Sequence, residues 1–226
     1  MKNLKFWSIL LLCVAVVEVT AEYFRILPLI YVFKPLISIV LMVLCFKSSV
    51  KNDLLFYLTI TTSLITNVLF IPNDLYYIFI GLVVFIFHRL INIYYVIKVM
   101  KIKDFIPVIL ASVPFFLIFF YIFFDTDLLN EKVYYIMIVH NSLISLLGGL
   151  ALSTYIMNDS AVSSWLLICV LSFVTLHFII FIEKFYIDLK IFRPIAMSLN
   201  AFAYYAFYRF IIFVESKKTE KNIVTL

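Results

Sequence analysis

The chain has 226 residues, of which 65% are hydrophobic, 19% are aromatic and only 14% are charged. A soluble domain is roughly 45–50% apolar and about 25% charged, and a soluble core of this size could not bury so much apolar surface. These figures exclude a cytosolic globular enzyme and a disordered chain. The net charge of +5 comes from Lys and Arg residues scattered singly between apolar runs, so no basic face for nucleic acid is formed. The composition predicts an all-α, polytopic membrane protein.

A membrane-spanning helix needs about 20 mostly apolar residues. Polar residues divide the chain into eight such runs, which are 5–23, 28–46, 53–71, 75–98, 105–124, 133–155, 162–184 and 191–214. Because the connections are short, residues 1–226 are predicted to form one transmembrane domain, a bundle of eight helices. The first run also resembles a signal peptide ending at Val19-Thr20-Ala21, but Glu18 so close to the apolar stretch favours a retained helix.

The distribution of basic residues between the loops predicts the orientation of the bundle. With the N-terminus in the cytoplasm, the basic residues on the cytoplasmic side are Lys2, Lys5, Lys47, Lys51, Lys98, Lys101, Lys103, Lys217, Lys218 and Lys221. Those on the opposite side are Arg25, Lys132, Lys184, Lys190 and Arg193. The excess favours a cytoplasmic N-terminus, and an even number of spans then places both termini in the cytoplasm.

The scarce cysteines and glycines limit the kinds of site that the chain can form. Cys13, Cys45 and Cys169 lie far apart in apolar runs, so we interpret them as small hydrophobic residues. The three glycines include no GxxxG pair, and we therefore expect no close glycine-mediated helix crossing. The absence of a phosphate-binding glycine loop argues against ATP-driven transport, and scarce glycine argues against the broken helices of secondary transporters.

Polar residues inside the apolar runs are the first candidates for a functional site, because a charge at the centre of a membrane helix costs about 2.5–3.5 kcal/mol on insertion scales. They are Glu18, Glu22, Lys34, Asn67, His88, Arg89, Asn92, His140, Asn141, His177, Asn200 and Arg209. Five spans place such groups in the non-cytoplasmic half, which predicts a polar cavity open to the outer leaflet. The alternative is a set of separate interhelical hydrogen bonds. Lys34 needs a counter-ion, and we predict an intramembrane ion pair with Glu18 or Glu22.

The first four runs contain an ordered series of polar and small residues. The series is Glu22, then Lys34-Pro35-Leu36, then Ser63-Leu64 before Asn67, then Gly81, Phe85 and His88. This series resembles the YhhN/lysoplasmalogenase family of eight-span membrane proteins, and the spacing of the runs is similar along nearly the whole chain. The resemblance implies hydrolysis of the vinyl ether bond of lysoplasmalogen, a single-chain membrane lipid, without a cofactor.

The chain departs from that family at the two aspartates that are its acid–base candidates, since the matching positions read Asn67 and His177. Histidine can donate and accept a proton near neutral pH, whereas asparagine can do neither. The resemblance therefore implies a catalytic site in which His177 is the acid–base, Glu22 or Glu18 assists it, and Asn67 positions a water or the headgroup. It implies substrate contacts for Lys34, His88, Glu18 and Tyr204.

Three functions remain open from the sequence. The first is a divergent lipid hydrolase, and the second is a relative that binds lipid, or supports another membrane protein, without catalysis. The third is a metal-dependent hydrolase in which His88, His140 and His177 hold zinc, although no HxxxH or HExxH spacing supports it. The frequent Ile, Phe, Lys and Asn residues indicate an AT-rich bacterial genome, and we expect the protein in the bacterial cytoplasmic membrane. The oligomeric state is left open.

Overall fold

The structure, a computed structural model, describes residues 2–48, 54–72, 74–124 and 131–224. Within these ranges every regular element is an α-helix. The helices are α1 (Lys2–Phe24), α2 (Leu27–Lys47), α3 (Leu54–Leu69), α4 (Leu75–Met100), α5 (Ile106–Phe124), α6 (Glu131–Met157), α7 (Ala161–Phe185) and α8 (Phe192–Val224). The prediction of an all-α bundle is confirmed, and seven of these helices are long and apolar enough to cross a membrane. The chain is therefore a multi-pass integral membrane protein.

Helix α3 is shorter than its predicted run, and α8 is much longer than its own. Helix α3 has 16 residues, which is about 24 Å at 1.5 Å per residue and less than the roughly 30 Å of a hydrocarbon core. Helix α8 continues beyond the predicted end at residue 214 to Val224. The last turns of this helix are polar in sequence. The predicted run was bounded by hydropathy and therefore stopped at the last apolar residues, although the helix itself continues.

Local signals account for several helix boundaries. Ser160 and Ser163 form a reciprocal capping box at the start of α7, and the Asp74 carboxylate accepts a hydrogen bond from the Tyr76 backbone N–H at the start of α4. Such caps satisfy backbone donors that have no partner within the helix. Arg25 adopts the left-handed conformation, with φ of 55°, between the end of α1 and the start of α2. This short turn makes α1 and α2 antiparallel neighbours.

Seven helices form a closed ring. Helices α1, α2, α3, α4, α6, α7 and α8 contact one another in that order, and α8 closes the ring against α1. Helix α5 packs mainly against α6, and its Phe119 and Phe123 rings reach α7 at His177 and Phe181. Large apolar side chains such as Leu117 are exposed on α5, as expected for a surface in contact with lipid. Because the ring is closed, helices that are far apart in the chain, such as α1 and α8, lie side by side.

The expectation that no glycine mediates a close helix crossing is wrong. A Cβ atom added to Gly149 of α6 would lie 2.6 Å from the backbone nitrogen of Ser112 and 2.7 Å from its Cα atom on α5. The two backbones therefore meet directly at this point. A single glycine opposite a serine suffices for one point of contact, whereas the GxxxG pattern describes a longer seam.

Candidate functional site

A buried ion pair joins the first two helices. The Nζ atom of Lys34 lies 2.7 Å from Oε1 of Glu22, and the two side chains are 6% and 4% exposed. The short turn between α1 and α2 brings the end of one helix beside the first two turns of the next. The predicted intramembrane ion pair is thus confirmed, with Glu22 as the partner of Lys34.

Glu18 adds a second carboxylate beside this pair. It precedes Glu22 by one helical turn, so the two residues share a face of α1. Glu18 is fully buried, and neither of its carboxylate oxygens has a hydrogen-bond partner among the described residues. It lies close enough to interact electrostatically with both Lys34 and Glu22. The group therefore contains two carboxylates and one ammonium.

A cavity of about 510 Å³ lies at the end of the bundle where α1 and α7 end and α2 and α8 begin. Its charged lining consists of the cations Arg25, Lys34, Lys184 and Arg193 and the carboxylates Glu22, Glu183 and Asp188. The remaining lining residues are Leu27, Ile30, Ile71 and Pro72. We call this space the charged cavity. Seven charged side chains thus line one cavity in a chain of which only 14% of the residues are charged.

Ion pairs between turns shape the wall of the charged cavity. Arg193 Nε donates to Glu183 Oε1 at 2.7 Å across the α7–α8 connection. Arg25 Nη2 lies 3.4 Å from Asp188 Oδ1, and both of these side chains are exposed. The exposed pair contributes at most about 1 kcal/mol, so it can open without a large cost. Arg25 and Arg193 were predicted only as basic loop residues, and Glu183 and Asp188 were not among the predicted site residues.

The three histidines belong to a second, separate group. The His88 ring stacks on Phe85 with centroids 5.4 Å apart, and Phe85 stacks on His140 at 5.2 Å. The His140 ring in turn stacks on His177 at 6.3 Å. We call these four rings the histidine stack. Phe85 was named in the sequence only as part of the family resemblance, and its central place in the stack was not predicted.

Each histidine of the stack is hydrogen-bonded to a neighbouring helix. His88 Nδ1 lies 3.0 Å from the Thr59 carbonyl oxygen of α3, and since a carbonyl only accepts, Nδ1 carries the proton. His88 Nε2 then accepts from Asn92 Nδ2 at 3.0 Å. His140 Nε2 donates to a carbonyl oxygen of α4 at 2.9 Å, and His177 Nε2 lies 3.1 Å from Asn141 Oδ1 of α6. The stack therefore holds α3, α4, α6 and α7 together.

Arg89 lies next to the histidine stack and is fully buried. Its guanidinium carbon is 4.5 Å from the Phe85 ring centroid and 5.2 Å from that of Phe173 on α7. None of its three side-chain nitrogens has a hydrogen-bond partner among the described residues. The contacts that hold Arg89 are therefore cation–π contacts, which strengthen when the cation is desolvated.

The predicted site residues do not surround one cavity, and Asn67 and Tyr204 belong to neither of these two groups. Glu22 and Lys34 line the charged cavity, and Glu18 lies beside them. The lining of that cavity does not include Asn67, His88, His177 or Tyr204. Tyr204 is buried with its ring edge against Phe173, at 5.4 Å between centroids. Asn67 is half-buried, and its side-chain nitrogen makes no hydrogen bond to a described residue. The histidines therefore form separate interhelical hydrogen bonds, which was the alternative to a common polar cavity.

The geometry of the histidines does not support a zinc site. The described part of the chain contains no group of three or more His, Cys, Asp or Glu side chains that could hold a metal ion. Both ring nitrogens of His88 are engaged in hydrogen bonds, and Phe85 lies between His88 and His140.

Comparison of the chain with protein-family models, with curated proteins and with solved structures finds no match. The function is therefore inferred from the residues and geometry of the chain itself.

Proposed function

We propose that the protein binds the headgroup of a single-chain phospholipid in the charged cavity. The observation that carries this proposal is the lining of the cavity, with four cationic and three acidic side chains around about 510 Å³. That volume lies within the roughly 300–1,000 Å³ typical of small-molecule sites. A zwitterionic headgroup such as phosphoethanolamine carries a phosphate and an ammonium, and both find partners of opposite charge here. The cations exceed the carboxylates by one, which favours a ligand containing phosphate.

The two sides of the cavity suit different parts of such a headgroup. Arg25 is 59% exposed and is paired only across 3.4 Å to Asp188, so it can turn toward a phosphate, which a guanidinium binds in a bidentate manner. Lys34 lies deeper and is already neutralised by Glu22. We assign phosphate binding to the mouth of the cavity and a supporting electrostatic role to the buried pair.

We propose eight spans with both termini in the cytoplasm, which sets the charged cavity at the outer leaflet of the bacterial cytoplasmic membrane. The distribution of basic residues between the loops supports this orientation. The test is labelling of single cysteines from outside intact cells, in a chain whose own cysteines are replaced by serine. We expect Asp188→Cys to react and Asn158→Cys to react only after the membrane is permeabilised. The reverse pattern would contradict the orientation.

We further propose that the chain is a divergent relative of the YhhN/lysoplasmalogenase type. The residues that carry the resemblance support this, since Glu22 and Lys34 form the buried pair and Phe85 stacks on His88. Gly81 lies where a Cβ atom would meet the Phe70 ring at 2.6 Å, so a larger residue would displace that ring.

Hydrolysis of the vinyl ether is the second candidate function, and Glu18 is the observation that favours it. No described residue is hydrogen-bonded to the Glu18 carboxyl, so it is available to transfer a proton beside the cavity. Proton transfer to the vinyl carbon would give an oxocarbenium ion, addition of water would give a hemiacetal, and its collapse would release a fatty aldehyde and the glycerophospho-alcohol. His177, the histidine expected from the sequence to perform this step, lies in the histidine stack outside the cavity lining.

Binding of lysophosphatidylethanolamine to the detergent-purified protein tests the first candidate. We expect the double variant Arg25→Gln/Arg193→Gln to bind at least about tenfold more weakly, which corresponds to about 1.4 kcal/mol. The control is Lys98→Gln, an exposed residue at the opposite end of the bundle, which keeps its affinity. Equal affinity of all three proteins would contradict the proposal.

Aldehyde release from a lysoplasmalogen tests the second candidate. Release that is lost in Glu18→Gln and retained in His177→Ala would identify a hydrolase that uses the buried carboxyl. Release that is lost in His177→Ala alone would support the role expected from the sequence. Binding without release would leave lipid binding as the function.

A further inference from the structure

A second cavity, of about 570 Å³, lies in the seam between α1 and α8. Its lining residues are Ser8, Ile9, Leu11, Leu12, Ala15, Val16, Val19, Thr20, Ser198, Ala201, Phe202 and Tyr205. We call it the α1–α8 groove. None of these lining residues is acidic or basic, in contrast to the charged cavity. Several are exposed, among them Leu12, Val16 and Phe202, so the groove faces the hydrocarbon of the membrane.

The groove runs along the same helices that end at the charged cavity. Ser8, Ala15 and Glu22 follow one another at intervals of seven residues, which places them along one stripe of α1. Ser8 and Ala15 line the groove and Glu22 lines the charged cavity. On α8, the groove begins at Ser198, shortly after Arg193 of the charged cavity. The two spaces are therefore consecutive along one seam, with the charged one at the membrane boundary.

The groove is long enough for a hydrocarbon chain. From Thr20 to Ser8, α1 rises about 18 Å at 1.5 Å per residue. Residues 8–20 are centred on the first apolar run, 5–23, so the groove crosses the middle of the bilayer. The small residues Ser8, Ala15 and Ala201 leave space between the two helices. A hydrocarbon chain that starts at the charged cavity would lie along the groove and extend past the middle of the bilayer toward Ser8.

We propose that the α1–α8 groove binds the hydrocarbon chain of the lipid whose headgroup occupies the charged cavity. This inference rests on the proposed function and specifies its ligand, since one groove between two helices accommodates one chain. The charged cavity thus selects the headgroup, and the groove selects lipids with a single chain over lipids with two.

The test fills the groove without changing the charged cavity. Ala15→Phe and Ala201→Phe place a ring in the groove, and Cys13→Phe places the same ring on an exposed part of α1 outside it. We expect both groove variants to bind lysophosphatidylethanolamine at least about tenfold more weakly, because the added ring and the hydrocarbon chain of the lipid would overpack the groove. Their affinity for glycerophosphoethanolamine, which has no chain, stays that of the unmodified protein, and Cys13→Phe binds both ligands normally.

A second measurement on the unmodified protein is independent of how the variants fold. A lysophospholipid with a photoreactive diazirine at the end of its chain is bound, irradiated and located by peptide mapping. We expect labelling near Ser8 on α1 and Tyr205 on α8. Labelling spread over the exposed face of α5 would overturn the inference.

The outcomes separate this inference from the proposed function. If the unmodified protein binds neither ligand, the proposed function fails and the inference fails with it. If it binds both, and the groove variants bind the lysolipid as tightly as Cys13→Phe does, the groove assignment is overturned while headgroup binding stands. If the groove variants change only the oligomeric state, the groove is a contact between copies of the chain and the inference is overturned.

Discussion

The Nζ atom of Lys34 and the Oε1 atom of Glu22 are 2.7 Å apart, with both side chains less than one-tenth exposed. Breaking a buried ion pair by removing one partner costs about 3–5 kcal/mol, because the other charge is left without compensation. The pair therefore holds α1 against α2 and keeps a charge of each sign at the wall of the charged cavity.

We expect Lys34→Met to lower the free energy of unfolding by about 3–5 kcal/mol. The variant leaves Glu22 unpaired and next to a second carboxylate, Glu18. The double variant Glu22→Gln/Lys34→Met removes both charges and recovers most of the loss. Thermal unfolding in detergent measures both effects, with Arg25→Gln as a control that breaks only an exposed pair and costs less than about 1 kcal/mol. Equal loss in the single and double variants would show that the two side chains are not coupled.

Gly149→Ala should separate α5 from α6. The added methyl group would lie 2.6 Å from the backbone nitrogen of Ser112, and a backbone cannot rotate away as a side chain can. We expect a loss of about 1–3 kcal/mol from overpacking, measured as a lower thermal midpoint. Gly148→Ala is the matched control, because its methyl group would meet only the Phe115 ring, at 2.9 Å. A Gly148→Ala variant as unstable as Gly149→Ala would contradict this explanation.

Replacing His88 with leucine should loosen the contact between α3 and α4. The change removes the donor to the Thr59 carbonyl and the acceptor for Asn92. The carbonyl keeps its hydrogen bond from the Thr62 hydroxyl, so the buried group left unpaired is the Asn92 side-chain N–H, at a cost of about 1–3 kcal/mol. The double variant His88→Leu/Asn92→Leu removes that unpaired group and is expected to be more stable than His88→Leu. Chemical denaturation in detergent measures the stability of the two variants. A double variant that is less stable than His88→Leu would refute this prediction.

Arg89→Met tests whether the buried guanidinium stabilises the bundle. Burying a charge that has no ion-pair partner costs desolvation free energy, so we expect an unchanged or higher thermal midpoint when an apolar residue of similar size replaces it. Arg89→Lys exchanges a planar cation for a compact, strongly hydrated one that stacks less well on Phe85 and Phe173, and we expect it to be destabilising. A lower thermal midpoint for Arg89→Met would contradict the expectation that the buried charge does not stabilise the bundle.

The sequence by itself determined the helices and one contact. In a membrane, every backbone polar group must be satisfied within its own helix, so a run of apolar residues predicts a helix wherever it occurs. The pair between Glu22 and Lys34 was also predictable, because a short turn makes α1 and α2 neighbours and an unpaired ammonium would be costly.

The rest depended on how the helices are arranged around the ring. The charged cavity forms because Arg25 and Asp188, 163 residues apart in the chain, lie at the same end of the bundle. The histidine stack forms because Phe85 of α4 faces His140 of α6, and hydropathy along one helix carries no information about which helix it faces. The contact between Gly149 and Ser112 likewise depends on the crossing of two helices. The tertiary structure decided these features because each is a property of packing between helices, whereas helix formation is a property of each apolar run alone.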